Sequence, residues 1–145
     1  MKFDATGLLQ AQIQQNFLLL PGFLRSSLRK VTGDEQWIHT APVRAKLLSP
    51  FKSTIAHGFL VLSLLPKFLE ETYSIKSVKM GVNYGLNRVR FTAPVPVKSF
   101  VRGRVILKEF KEIKNGAKLT VEVTVELKDN EKPACVAEQV FLIYE

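Results

Sequence analysis

Residues 55–69 read Ile-Ala-His-Gly-Phe-Leu-Val-Leu-Ser-Leu-Leu-Pro-Lys-Phe-Leu, an apolar run with hardly a polar side to turn to solvent. Such a run reads as a helix buried on every side, ended or kinked by Pro66. From residue 78 the period changes to two, most clearly where Leu119, Val121, Val123, Val125 and Leu127 alternate with Thr120, Glu122, Thr124 and Glu126. That alternation predicts strands with one core face and one wet face. Asn115-Gly116 predicts a type I′ turn, and Asp129-Asn130 a second reversal before a last strand over residues 134–144. Helices first and strands afterwards imply an α+β chain. A wholly apolar helix needs a sheet that curls round it, because a flat sheet covers only one side.

Length and charge narrow the field. At 145 residues the expected organisation is one domain over residues 1–145, able to bury a core without staples. The single cysteine, Cys135, has no intramolecular partner and suits a reducing, cytoplasmic compartment. The first apolar run, Phe17-Leu18-Leu19-Leu20, is stopped by Pro21-Gly22 and is too short to span a membrane, so no membrane insertion is expected. A net charge of +8 attracts anions without choosing among them. Arg102, Arg104, Lys108, Lys111, Lys114 and Lys118 read as a solvated hairpin face, and nucleic-acid binding lacks the interleaved aromatic and basic motif it requires.

Two segments can carry chemistry. In Gly33-Asp34-Glu35-Gln36-Trp37-Ile38-His39, Gly33 can close a helix and the turn after it can bring a carboxylate and an imidazole together. Water addition across an activated double bond needs two such proton-transfer groups. From spacing alone the plainer reading is favoured: Asp34 caps a turn and His39 is a surface histidine. In the second segment, Ser49 to Gly58, a helix start suits a thioester oxygen becoming an enolate, and Gly58 lets a substrate approach the backbone. Ser53 or Thr54 can equally cap that helix, and His57 can be a satisfied half-buried imidazole. No nucleophile elbow or phosphate-binding loop is present, and two histidines far apart in sequence predict no metal site.

Taken together, Thr32-Gly33-Asp34-Glu35-Gln36-Trp37-Ile38-His39, Ser49-Pro50-Phe51, Ile55-Ala56-His57-Gly58-Phe59-Leu60, Asn83-Tyr84-Gly85-Leu86-Asn87-Arg88 and Pro94-Val95-Pro96-Val97 resemble the MaoC-like dehydratases, which include the R-specific enoyl-CoA hydratases. The similarity runs in order from about Phe23 to the C-terminus. It implies a hot-dog fold and a hydratase or dehydratase acting on 2-enoyl or 3-hydroxyacyl thioesters. Asp34 and His39 are then the catalytic pair and the Gly58 N–H an oxyanion donor. His57, Ser53 and Lys52 fall beside the substrate, with Asn83, Tyr84 and Arg88 near the pocket or a dimer interface. No cofactor is implied beyond the coenzyme A or acyl-carrier thioester that bears the substrate, and the family commonly forms homodimers or higher homo-oligomers.

Three departures stand out. Lys52-Ser53 replaces common glycines and adds a cation able to bind phosphate. Thr40-Ala41 follows His39 where an aspartate is common, removing a support for the imidazole. Residues 1–22 do not resemble the family's first strand, so the sheet is expected to lack or replace a strand there, with Phe17 to Leu20 covering a partner or pocket. The other readings are an acyl-CoA thioesterase, for which the central helix lacks an acid before Glu70 and Glu71, and a catalytically silent acyl-binding dimer.

Overall fold

The computed structural model describes residues 13–14, 16–20, 22–73 and 78–144. Short strands β1 (Ile13–Gln14) and β2 (Leu18–Leu19) precede helices α1 (Gly22–Thr32), α2 (Trp37–Thr40), α3 (Pro42–Leu48), α4 (Gly58–Leu62) and α5 (Leu65–Thr72). Four long strands follow: β3 (Met80–Phe91), β4 (Phe100–Ile113), β5 (Gly116–Leu127) and β6 (Cys135–Tyr144). They form one antiparallel sheet in the order β1-β4-β5-β6-β3, with β2 also pairing β4. This is the α+β arrangement expected, a curled sheet around central helices.

The period-two reading locates the core. Leu119, Val121, Val123 and Val125 are buried, as are Val101, Val105 and Leu107 on β4 and Cys135 and Ala137 on β6. Against this face α4 presses Leu60 and Val61, α5 presses Leu65 and Phe68, and the link between them adds Leu64. The opposite face is less wet than expected, because Thr120 and Thr124 are also buried. Thr120 donates to the Glu109 carboxylate at 3.4 Å, and Thr124 lies between Arg104 and Val136 on the neighbouring strands.

Several local expectations need correction. The apolar run is not one helix: residues 55 and 56 are extended, and α4 and α5 are separated at Ser63-Leu64, with Pro66 in the first turn of α5. That position suits proline, whose missing N–H has no intrahelical partner there. Nor is the helix buried all round, since Phe59 is 73% exposed. At the β4–β5 hairpin Ile113 pairs with Gly116, so Lys114-Asn115 makes the turn and only Asn115 has a positive φ, 62°. Gly116 serves the ladder instead, where a Cβ would lie 1.9 Å from the Ile143 carbonyl oxygen. Asp129 does take the left-handed conformation at the next reversal, with φ 60°.

Of the two expectations for this region, a missing or a replaced strand, the described residues show replacement, by two short strands before α1. Ile13 pairs with Val105 and Leu18 with Val101, so β1 and β2 share the β4 edge, and Leu20 is buried beneath them. Phe17 packs against the Arg102 guanidinium, and Arg102 and Arg104 both reach Glu126. One carboxylate serving two guanidinium groups neutralises that part of the predicted cationic face only in part. Residues 1–12 lie outside those described.

Cys135 is fully buried, and burial pushes its thiol up to about 11. The native thiol is expected to resist Ellman's reagent and to react at once in guanidinium. A raised folded-state value also means stability is retained below the ordinary thiol range and lost as pH rises toward about 11, so the thermal midpoint should fall across that window.

Candidate active site

Gly33 ends α1 as its sequence suggests: its φ is +72° and its N–H donates to Arg29 O at 2.9 Å. The chain then turns at Asp34, whose Oδ1 accepts the Gln36 N–H at 3.1 Å. Asp34 therefore does cap a turn, while its other oxygen, Oδ2, stands 3.9 Å from His57 Nε2. Its side chain is 48% exposed, so water reaches the carboxylate.

His39 is no surface histidine. It is buried on α2, and Nδ1 lies 2.8 Å from the Ile55 carbonyl oxygen. A carbonyl can only accept, so Nδ1 carries the proton, and in the neutral ring Nε2 carries the lone pair. The support lost with Thr40-Ala41 is thus supplied by backbone, a partner that side-chain patterns do not reveal. Ile55 is itself fixed on both sides. Its N–H donates to Ile38 O at 3.1 Å, it bridges Pro96, and the Ala56 N–H donates to Val95 O at 2.8 Å.

The expectation that the two histidines lie apart fails. The His39 and His57 rings stack with centroids 4.0 Å apart, and His57 Nε2 is 3.4 Å from Asp34 O. His57 is buried at the N-cap of α4, the position expected for Ser53 or Thr54. Ser53 Oγ instead is buried without a hydrogen-bond partner among the described residues. Lys52 is exposed, with φ 55° in the left-handed region.

A cavity of about 320 Å³ opens beside this cluster, lined by His39, Phe51, Gly58, Val61, Phe91 and Val95 among others. It is apolar apart from His39, Thr92 and the backbone, which suits an acyl group. Glycine at 58 keeps the approach to Phe91 open: a Cβ there would stand 3.0 Å from the Phe91 ring, tighter than ordinary contact. Val95 belongs to the resembling segment Pro94 to Val97 and Phe91 lies shortly before it, but neither carries chemistry that would single it out. A larger cavity of about 660 Å³ lies elsewhere, under α5 between Leu69, Tyr73, Leu107, Leu119 and Phe141.

Asn83, Tyr84 and Arg88 are not brought to His39. All three lie on β3, where Asn83 accepts from Gln139 at 2.7 Å, Tyr84 is 66% exposed and Arg88 faces Glu138 across the ladder.

The MaoC like domain family model matches residues 27–131, spanning both chemical segments and most of the sheet. The chain belongs to the MaoC-like family. It is 52% identical over 110 residues to 3-hydroxyacyl-thioester dehydratase Z of Mycobacterium tuberculosis, covering 75% of this chain and 72% of that protein. It is 46% identical over 123 residues to nodulation protein N of Rhizobium leguminosarum bv. viciae, covering 77% and 71%. Among solved structures, the (R)-hydratase from A. caviae involved in PHA biosynthesis superposes with a TM-score of 0.70 at 22% identity, covering 92% of this chain and 96% of that one. An Archaeoglobus monoamine oxidase regulatory protein gives 0.77 at 22% identity, covering 93% and 89%. These two likenesses establish the hot-dog fold of this MaoC-like chain.

Proposed function

We propose that this MaoC-like protein is a lyase that interconverts 2-enoyl and 3-hydroxyacyl thioesters, with Asp34 and His39 as its acid–base pair. The observation carrying the residue assignment is that His39, its Nδ1–H held by Ile55 O, lines the same apolar cavity as Gly58 while Asp34 stands at the solvent side of the cluster. In the hydration direction, one member of the pair takes a proton from water as its oxygen bonds to Cβ of the enoyl group. Electrons move onto the thioester oxygen, where the Gly58 N–H at the start of α4 stabilises the enolate. A proton delivered to Cα then completes the 3-hydroxyacyl product, and dehydration reverses each step. To Lys52, exposed in the loop before α4, this reading assigns a phosphate of coenzyme A or of an acyl-carrier arm.

The test is loss of enoyl absorbance when crotonyl-CoA and longer 2-enoyl-CoAs are mixed with purified protein. Turnover supports the reading. Binding without turnover across chain lengths would replace it with an acyl-binding role, and thiol release with a thioesterase.

The same reading includes a homodimer formed through β3. This strand pairs only with β6 among the described residues and exposes Met80, Val82, Tyr84, Leu86 and Phe91. A 12-residue edge this apolar is a template for pairing and does not suit bulk water. Sedimentation equilibrium should give twice the chain mass, and Leu86→Lys with Tyr84→Lys should shift the protein toward monomer. A monomeric parent at micromolar concentration would refute the β3 interface. No described helix is long and apolar enough to cross a membrane, and one buried cysteine suits the reducing cytoplasm.

A further inference from the structure

The stacked histidines and Asp34 form a donor set with an unrelated capacity. Among the described residues, Asp34, His39 and His57 are a group whose ligand atoms all lie within 4.8 Å of one another. Two imidazoles and one carboxylate favour a borderline ion such as Zn²⁺ over Mg²⁺ or Ca²⁺, which prefer all-oxygen shells. His39 also has the outer support that metal-ligating histidines use, a ring N–H donated to a backbone carbonyl, here Ile55 O at 2.8 Å.

We propose that Asp34, His39 and His57 bind one Zn²⁺ ion and that this ion reversibly inhibits the enzyme. Zinc–nitrogen and zinc–oxygen bonds of about 2.0–2.2 Å place tetrahedral ligand atoms roughly 3.4 Å apart, so the donors must draw together. Asp34 can make that movement, because its side chain is half exposed while both rings are held in the core. His57 Nε2 lies on the Asp34 side of the cluster, and its 3.4 Å contact with Asp34 O is long and weak. Coordination uses the Nε2 lone pair of the neutral His57 ring, whose proton then sits on Nδ1. The ion then holds His39 Nε2 and the Asp34 carboxylate, which are the groups needed for proton transfer, and so occupation and catalysis exclude each other. The fourth position is left for water.

The rest of the chain competes poorly for such an ion. It has two histidines, both in this cluster, and one cysteine, which is fully buried. Tag-free protein titrated with Zn²⁺ against a chromophoric chelator should take up one ion per chain. Asp34→Asn, His39→Gln and His57→Gln should each weaken uptake at least tenfold with circular dichroism unchanged, and Glu70→Gln, on α5 by the other cavity, should not. This readout uses no substrate, so it stands apart from the hydration assay. Absence of uptake at micromolar zinc, or equal uptake by all variants, overturns the site. In the active parent, saturating Zn²⁺ should abolish hydration and EDTA restore it. Full activity in zinc-loaded protein overturns the inhibitory assignment.

Discussion

Asp34→Asn and His39→Gln are each expected to lower the enoyl-thioester hydration rate by about 10²–10⁴, the range that a positioned acid or base contributes. Both substitutions spare the architecture. Asparagine keeps an oxygen to accept the Gln36 N–H and so preserves the turn that follows Gly33. What it loses is the charge and the proton-accepting oxygen facing His57. Glutamine can offer an amide N–H to Ile55 O in place of His39 Nδ1, but it has no nitrogen that exchanges protons near neutral pH. If the two groups act on one substrate as a unit, the double variant falls little below the slower single one. Measured kcat values for the four proteins, with matching thermal midpoints, decide this. A single variant with parental kcat would remove that residue from the chemistry, whatever its family position.

The sheet was more legible than the site because period-two burial repeats over many residues, and the strand ladder follows it. Val121, Val123 and Val125 are where alternation places them. The central run misled because hydrophobicity reports burial without reporting geometry. Residues 55 and 56 are apolar yet extended, held by Ile38 O and Val95 O from two different segments. Phe59 is apolar and exposed beside the edge strand, consistent with a surface for another chain and not with a core face. At the site, the motif order singled out Asp34 and His39 as candidates, and the helix start singled out Gly58. The contact between His39 and His57 spans 18 positions and depends on how the strap at 54–56 folds back over α2. The Ile55 carbonyl leaves no trace in residue type at all. Short β1 and β2 were missed because two-residue strands are too brief for any period to register.

Gly103→Ala should be among the most destabilising one-methyl changes on β4, at about 1–3 kcal/mol, the usual cost of overpacking a filled core. A Cβ at this position would lie 2.6 Å from Phe68 Cγ and 2.7 Å from Phe68 Cβ. Phe68 is 1% exposed and its helix cannot simply lift away, since Leu65 on the same helix is equally confined against the sheet. The glycine is therefore what lets α5 sit close enough for its phenylalanine to reach the β4 floor between Val101 and Val105. Phe68→Ala, which empties that space, should cost about 3–5 kcal/mol. The two losses share one cause with opposite sign, overfilling and emptying, so they should not add. In the Gly103→Ala, Phe68→Ala double variant the new methyl occupies part of the vacated volume, and the cycle should show a favourable coupling of about 0.5–3 kcal/mol. Denaturant midpoints of the four proteins measure it. Strict additivity would mean that Phe68 is not what Gly103 accommodates, and the close approach of helix and sheet would need another cause.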